Sequence, residues 1–283
     1  MSFILIAIVL GIVEGLTEFL PVSSTAHLRI CEDVLNVSLK SEYWKMFTIV
    51  IQLGAVLSVV LYFWGRIIRF IRTFPRGEDG SRTWLTHPLS LVLVAFVVTA
   101  GPSYLLDEKI GENLENLWVI AGALVAGGVI MWIVDARFAR FSTARPEDMS
   151  VGQALGIGAA QILSAAFPGT SRSMVTIAAG QVGGMSRPAA LEFSFFLSIP
   201  TMAAATGFKL LKGIFEQASF ASDPGAPPHP WAILALGFVV SFVVALGVVA
   251  WFMRWVQRRG FVPFAIYRLA LGAGVLVWAM CRK

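Results

Sequence analysis

The sequence predicts an all-α integral membrane protein with six transmembrane helices and two re-entrant helix-loop-helix hairpins, arranged as an inverted-topology repeat. Three observations lead there. Of the 283 residues, 57% are hydrophobic and only 14% are charged, whereas about a quarter of a soluble domain is charged. Six segments are apolar over the roughly 20 residues that a helix needs to span a bilayer. Two further apolar regions are each interrupted by a short polar break, "FLPVSST" in one and "FPGTSRS" in the other.

Taken in order, the first apolar region covers residues 2–30. It opens on "MSFILIAIVLGIV", which carries no charge. It lacks the basic lead and small-residue cleavage site of a secretory signal, so it is expected to remain in the protein. Pro21 breaks it into halves too short to span, which is the pattern of a re-entrant hairpin. Spans are expected near 43–65, 88–106 and 117–136. A second hairpin over 151–184 is broken at 167–173, although hydropathy alone would also let "VGQALGIGAAQILSAAF" cross the bilayer. Spans near 188–210, 231–253 and 261–281 complete the chain.

The expected organisation is therefore one membrane domain, 1–283, built from repeat one (1–136) and repeat two (150–281). Each break places Pro ahead of a hydroxyl cluster. Each is followed by a span opening on Phe plus a hydroxyl, Phe47-Thr48 and Phe193-Ser194. Three spans per repeat is an odd number, so the second repeat enters the membrane from the opposite side.

The formal net charge is +5. Nucleic acid is not the expected partner, because the basic residues lie in short loops between apolar runs, as positive-inside topology requires. Returning each hairpin to its own side gathers Arg66, Arg69, Arg72, Arg76, Arg82, Arg137, Arg140, Arg145, Arg187, Arg254, Arg258 and Arg259 on one side. The other side holds Arg29, Lys40, Lys45, Lys109, Lys209, Lys212, Arg282 and Lys283. The arginine-rich side is expected to be cytoplasmic. Cys31 and Cys281 fit no metal-ligand spacing and read as buried small hydrophobes.

The chemistry concentrates at the breaks. Glu14 and Glu18, at i,i+4, share a helical face. Carboxylates in a membrane helix are costly, so a shared proton, a cationic side chain or a metal ion must compensate them. Past Pro21, Ser23 and Ser24 stand where a second half-helix starts, one of them a natural N-cap. His27 is one turn beyond Ser24 and can approach its hydroxyl as an acid or base. In the second break, Gly169 permits an unusual backbone, and Thr170, Ser171 and Ser173 offer hydroxyls. The helix starting there presents free N–H groups suited to phosphate. Arg172 is a permanent cation able to grip two phosphate oxygens or to neutralise the glutamates. Arg268, also inside an apolar segment, fits structural pairing at least as well as a site role. Together the breaks suit phosphoryl chemistry on an amphiphile, which needs charge neutralisation and in-line positioning above all.

"EGLTEFLPVSSTAHL", "IVIQLGAVLSVV", "FPGTSRS", "SRPAALEFSFFLSIP" and "FVPFAIYRL" resemble the bacterial undecaprenyl-diphosphate phosphatases of the bacitracin-resistance type. The resemblance implies hydrolysis of undecaprenyl diphosphate to undecaprenyl phosphate and phosphate, with recycling of the lipid carrier for cell-wall synthesis. It implies a divalent cation, Mg²⁺ or Ca²⁺, and a site opening to the outer face of the cytoplasmic membrane. Residue by residue, it implies that Glu14 and Glu18 bind metal or act as base. Ser24 is the candidate nucleophile and His27 an acid or base. Ser23 and Thr25 contact the diphosphate, and Arg172 clamps it beside Ser171 and Ser173. Gln52 and Gln161 fall on less specific positions near the site. Ala26 and Met174 stand where the family usually has Gly, which leaves the helices sound and the substrate detail open. Whether Ser24 attacks phosphorus or an activated water does so also stays open. The partners expected are a polyprenyl diphosphate and membrane lipids, with a homodimer left open. The alternative function is a flippase or transporter of polyprenyl phosphate.

Overall fold

A computed structural model describes residues 2–37, 41–105, 116–138, 140–215, 223 and 225–281. Lys40, Lys109, Arg282 and Lys283, and the last residue of the span expected at 88–106, lie outside them. The regular structure of the described residues is helical, apart from one bridge between Thr143 and Met185. Six helices are long and apolar enough to cross a membrane: α3 (Glu42–Tyr62), α5 (Pro88–Leu105), α6 (Leu117–Arg137), α9 (Arg187–Phe215), α10 (Pro230–Arg259) and α11 (Val262–Cys281). They coincide with the six expected spans. α10 runs further than expected, and its extra turns carry Arg254, Arg258 and Arg259.

The two interrupted regions are broken helix pairs. α1 (Phe3–Thr17) packs on α2 (Ser24–Val34), and α7 (Val151–Ala166) packs on α8 (Arg172–Val182). α1 starts on Ser2, whose Oγ accepts from Leu5 N–H at 3.3 Å. α7 starts on a reciprocal capping box between Ser150 and Gln153, which satisfies two N–H groups that the first turn leaves open. One helix was not foreseen. After Phe63 the chain forms α4 (Trp64–Thr73), with Arg66, Arg69 and Arg72 interleaved with Ile67, Ile68, Phe70 and Ile71. The cysteine expectation also needs correction: Cys31 is only half-buried, and Cys281 is exposed on the last turn of α11.

The chain divides into two compact units. The first comprises Met1–Phe19, Ser24–Tyr62 and Ser198–Ala250. Its core is Ile6, Leu10, Tyr43, Trp44, Phe47, Ile51, Ile233 and Leu234. Lipid tails supply little hydrophobic drive between helices, so small residues that allow close backbone approach do the packing. At Gly15 of α1, an added Cβ would lie 2.7 Å from the Ser241 carbonyl of α10. Ser241 in turn donates to the Ile51 carbonyl of α3 at 2.8 Å. At the loop ends, Asp223 accepts from the Ser41 hydroxyl (2.7 Å), Tyr43 N–H (3.0 Å) and Gly225 N–H (2.8 Å).

The second unit comprises Leu20–Ser23, Phe63–Leu197 and Trp251–Lys283. In it α6 packs along α11, α5 along α7, and α8 against both α6 and α7. Buried Asp135, at the end of α6, accepts from Arg187 Nε (2.6 Å), Gln181 Nε2 (3.3 Å) and Phe261 N–H (3.0 Å). One carboxylate thus joins the end of α6 to two chain reversals. Nearby, Arg66 pairs with Glu147 and Glu192, while Arg82 and Arg145 share Asp148. Several of the loops assigned to the arginine-rich side therefore meet one another.

Removing one partner of a buried pair leaves the others uncompensated. Asp135→Ala is expected to destabilise the protein by about 3 kcal/mol, read as a lowered thermal midpoint in detergent. Asp223 gives a pH signature. Burial raises its pKa, but hydrogen bonds from Tyr43 N–H, the Ser41 hydroxyl and Gly225 N–H outweigh that and hold it below the ordinary 3.8. Its stabilisation is therefore present above the unfolded-state pKa and lost as pH falls through the folded-state value. Asp223→Asn is expected to lower the thermal midpoint at pH 7 and to flatten its fall on acidification below about pH 4.

Candidate active site

In the first unit, Glu14 is fully buried and Glu18 is 9% exposed. They stand one turn apart, and Glu18 closes α1 with its N–H on the Glu14 carbonyl at 2.9 Å. Past the break, Ser24 opens α2 and donates its hydroxyl to Glu18 Oε2 at 2.5 Å. The i,i+3 spacing had pointed to His27 as the partner of Ser24. The hydroxyl instead goes back across the break to Glu18, which faces the first turn of α2. Spacing along one helix could not show this, because the partners stand on either side of a chain reversal. Thr25 and His27 follow on α2, both half-buried, and Gln52 is half-buried on α3.

The residues between the halves, Leu20–Ser23, belong to the second unit. Ser23 has φ of +74°, a left-handed conformation costing a non-glycine residue roughly 1–2 kcal/mol. The second break has the same device. Ser171, at φ +70°, caps α8 by accepting Met174 N–H at 3.3 Å. Its Oγ is 3.0 Å from Ser173 Oγ, and Ser173 donates to the Leu20 carbonyl at 2.9 Å. Gly169, at φ +94°, has no room for a side chain, since a Cβ would stand 2.6 Å from the Ile120 carbonyl of α6.

Arg172, the first residue of α8, donates through Nη1 to the Ser194 carbonyl at 3.2 Å. Thr176 supports both residues: its hydroxyl donates to the Arg172 carbonyl at 2.9 Å and lies 2.7 Å from Ser194 Oγ. Gln161 is buried on α7. Arg268 of α11, left open by the sequence, is fully buried. Its Nη1 donates to the Pro21 carbonyl at 3.3 Å, and its Nη2 donates to the carbonyls of Ala123 (3.0 Å) and Gly169 (3.1 Å). Thr176 and Arg268 are the residues near the breaks that the site prediction did not include. Arg268 carried one signal, an arginine within an apolar segment.

Ala26 and Met174, which stand where the resemblance implies glycine, are buried within intact helices. Met174 is accommodated by a glycine elsewhere: a Cβ on Gly127 of α6 would stand 2.7 Å from Met174 Cε. Among the described residues no three His, Cys, Asp or Glu side chains gather as a metal cluster. Glu14 and Glu18 are a two-carboxylate, all-oxygen donor set. That matches the way Mg²⁺ is commonly held, by one or two carboxylates completed by water and substrate phosphate.

A family model described as "Bacitracin resistance protein BacA" matches residues 7–274. Proteins named undecaprenyl-diphosphatase are similar along their whole length. That of Koribacter versatilis (strain Ellin345) is 56% identical, over 100% of both chains. That of Caldanaerobacter subterraneus subsp. tengcongensis is 40% identical, over 98% of this chain and 96% of its own. That of Novosphingobium aromaticivorans is 40% identical, over 100% of both chains.

Proposed function

The chain belongs to the bacitracin resistance BacA family, and from that premise we propose that it hydrolyses undecaprenyl diphosphate to undecaprenyl phosphate and inorganic phosphate, recycling the lipid carrier of cell-wall synthesis. The observation that carries this reading is the Ser24 hydroxyl, aimed at 2.5 Å into the carboxylate of buried Glu18. A hydroxyl bonded to a carboxylate base is suited to covalent phosphoryl transfer. A flippase for the same lipid needs polar groups at depth, but no hydroxyl directed at a carboxylate.

In this reading Glu18 takes the proton as Ser24 Oγ attacks the terminal phosphorus, and the lipid monophosphate departs from the opposite side. Water then releases phosphate from Ser24, with Glu18 or His27 handling its proton. Arg172, Ser171, Ser173, Ser23 and Thr25 hold the phosphate oxygens, helped by the open N–H groups at the start of α8. Gln52 and Gln161 stand at the margin. Glu14 and Glu18 would hold a divalent cation, Mg²⁺ or Ca²⁺, which neutralises charge on the diphosphate when bound. Within the second unit, Leu20–Ser23 are bound by Ser173 and Arg268.

We also infer that the two broken pairs are re-entrant and related by an inverted repeat. α1 and α7 have 15 and 16 residues, α2 and α8 have 11 each, and each second half follows a serine at φ near +70°. In the same reading the arginine-rich side faces the cytoplasm of an inner-membrane protein and the site opens outward, a reading supported by the positive-inside bias of the loops.

Purified protein is expected to release phosphate from a polyprenyl diphosphate, to stop when EDTA is added, and to recover with Mg²⁺ or Ca²⁺. Arg172→Ala and Glu18→Ala are each expected to lower kcat/KM by about 10²–10³. Acid quenching of labelled substrate should trap phosphate on Ser24. Lipid movement between leaflets without phosphate release would overturn the hydrolase reading. Full turnover by Ser24→Ala would move the attack to water.

A further inference from the structure

Arg268 has no role in the chemistry above, yet it is a large, fully buried cation. A cation in such a place is costly unless its donors are used. Among the described residues its partners are main-chain carbonyls, not carboxylates: Pro21 on one nitrogen, Ala123 and Gly169 on the other. These belong to the first break, to α6 and to the second break. We propose that Arg268 is a positioning residue for the reaction, whose guanidinium locks the two helix breaks to each other and to α6. The inference rests on the phosphatase reading for its effect on rate.

The argument is geometric. Pro21 and Gly169 each stand two residues before a serine held at positive φ, Ser23 and Ser171. A residue in that conformation keeps it only where its surroundings over-determine it. At both breaks the carbonyl just upstream is fixed by the same side chain. Arginine is the residue that can do this, because its planar fork presents several donors in fixed directions, whereas lysine offers a single nitrogen. Space for the fork has been left on α6. A Cβ on Gly127 would collide with Arg268 Nη2 and crowd Met174 Cε. The Ser173–Leu20 bond runs parallel to the clamp, so Leu20, Pro21, Gly169 and Ser173 form one connected patch. Displacing it would shift Ser23 and the Ser171–Arg172–Ser173 turn together.

The test uses the full chain in lipid nanodiscs, comparing wild type with Arg268→Lys and Arg268→Met. Misplacement by about an ångström can cost a hundredfold in rate, so kcat is expected to fall about 10- to 100-fold, more for Met than for Lys. KM is expected to stay within about threefold, because a positioning residue removes transition-state interactions without removing ground-state binding. Hydrogen exchange should show amides 20–25 and 169–175 losing protection together, with the rest of the chain unchanged. A rise in KM with kcat retained would make Arg268 a substrate contact and overturn the proposal. So would unchanged kcat, or loosening of one break alone. If both variants fail to fold, Gly127→Ala crowds the guanidinium while keeping its charge. It should reproduce the joint loosening, and its absence would equally overturn the clamp. If wild type releases no phosphate, the phosphatase reading fails while the exchange measurement still decides the clamp.

Discussion

A helix broken where its ends are buried leaves backbone carbonyls and N–H groups that no bulk water can reach, and each orphan costs free energy unless a partner is supplied. The rest of this structure depends on how that constraint is met at two places. At the first break the Leu20 carbonyl takes the Ser173 hydroxyl, and the Pro21 carbonyl takes Arg268. At the second, the Gly169 carbonyl also takes Arg268, and Ser171 caps α8 with its own side chain. The donors that complete one break come from the start of the other and from a neighbouring helix. The loops that carry the reactive groups are therefore held by side chains rather than by regular backbone ladders. Those side chains must be hydroxyls or guanidinium groups, which explains why a chain so apolar concentrates them there.

The same constraint accounts for the packing of α6. It runs against α11 and α8 and bears glycine where others would bear bulk. At Gly127 the missing side chain admits Arg268 and Met174. Its Ile120 carbonyl in turn lies so close to Gly169 that only glycine fits at that turn. At its far end Asp135 binds three donors from two separate reversals through one carboxylate. α6 thus contacts the second break near one end and the loops near the other.

Much of this was legible in the sequence, and the reasons are particular. The six spans were visible because a bilayer imposes length and apolarity directly. The breaks were visible because Pro21 and the Pro168-Gly169 pair interrupt runs that are otherwise uniformly apolar. Glu14, Glu18, Ser24 and Arg172 stood out because polar residues are expensive at such depth. What was not legible depends on partners distant in sequence. Glu18 and Ser24 meet only because the chain reverses between them, so spacing favoured His27. Arg268 was visible as an anomaly, but its three acceptors lie on three other segments. Asp135 gave no sign of joining the chain reversals. α4 was missed for another reason: its arginines at i, i+3 and i+6 read as loop charge, while the isoleucines between them supply the apolar face of an amphipathic helix.

The choice of serine at the two left-handed positions follows from combining strain with use. Glycine would adopt φ near +70° without cost, whereas serine gives up roughly 1–2 kcal/mol there. At Ser171 the return is visible. The hydroxyl caps α8 through Met174 N–H, and a cap of this type contributes about 1 kcal/mol. It also meets Ser173 Oγ, which passes the chain of hydrogen bonds on to Leu20. A glycine would relieve the backbone and break that chain at its first link. The strain is therefore the cost of placing a hydroxyl, rather than only a bend, at the mouth of α8. Ser23 has a similar φ, +74°, at the equivalent point before α2. A serine at positive φ at both breaks is then one solution used twice: each turn is sharp enough to end a half-helix and still carries a hydroxyl.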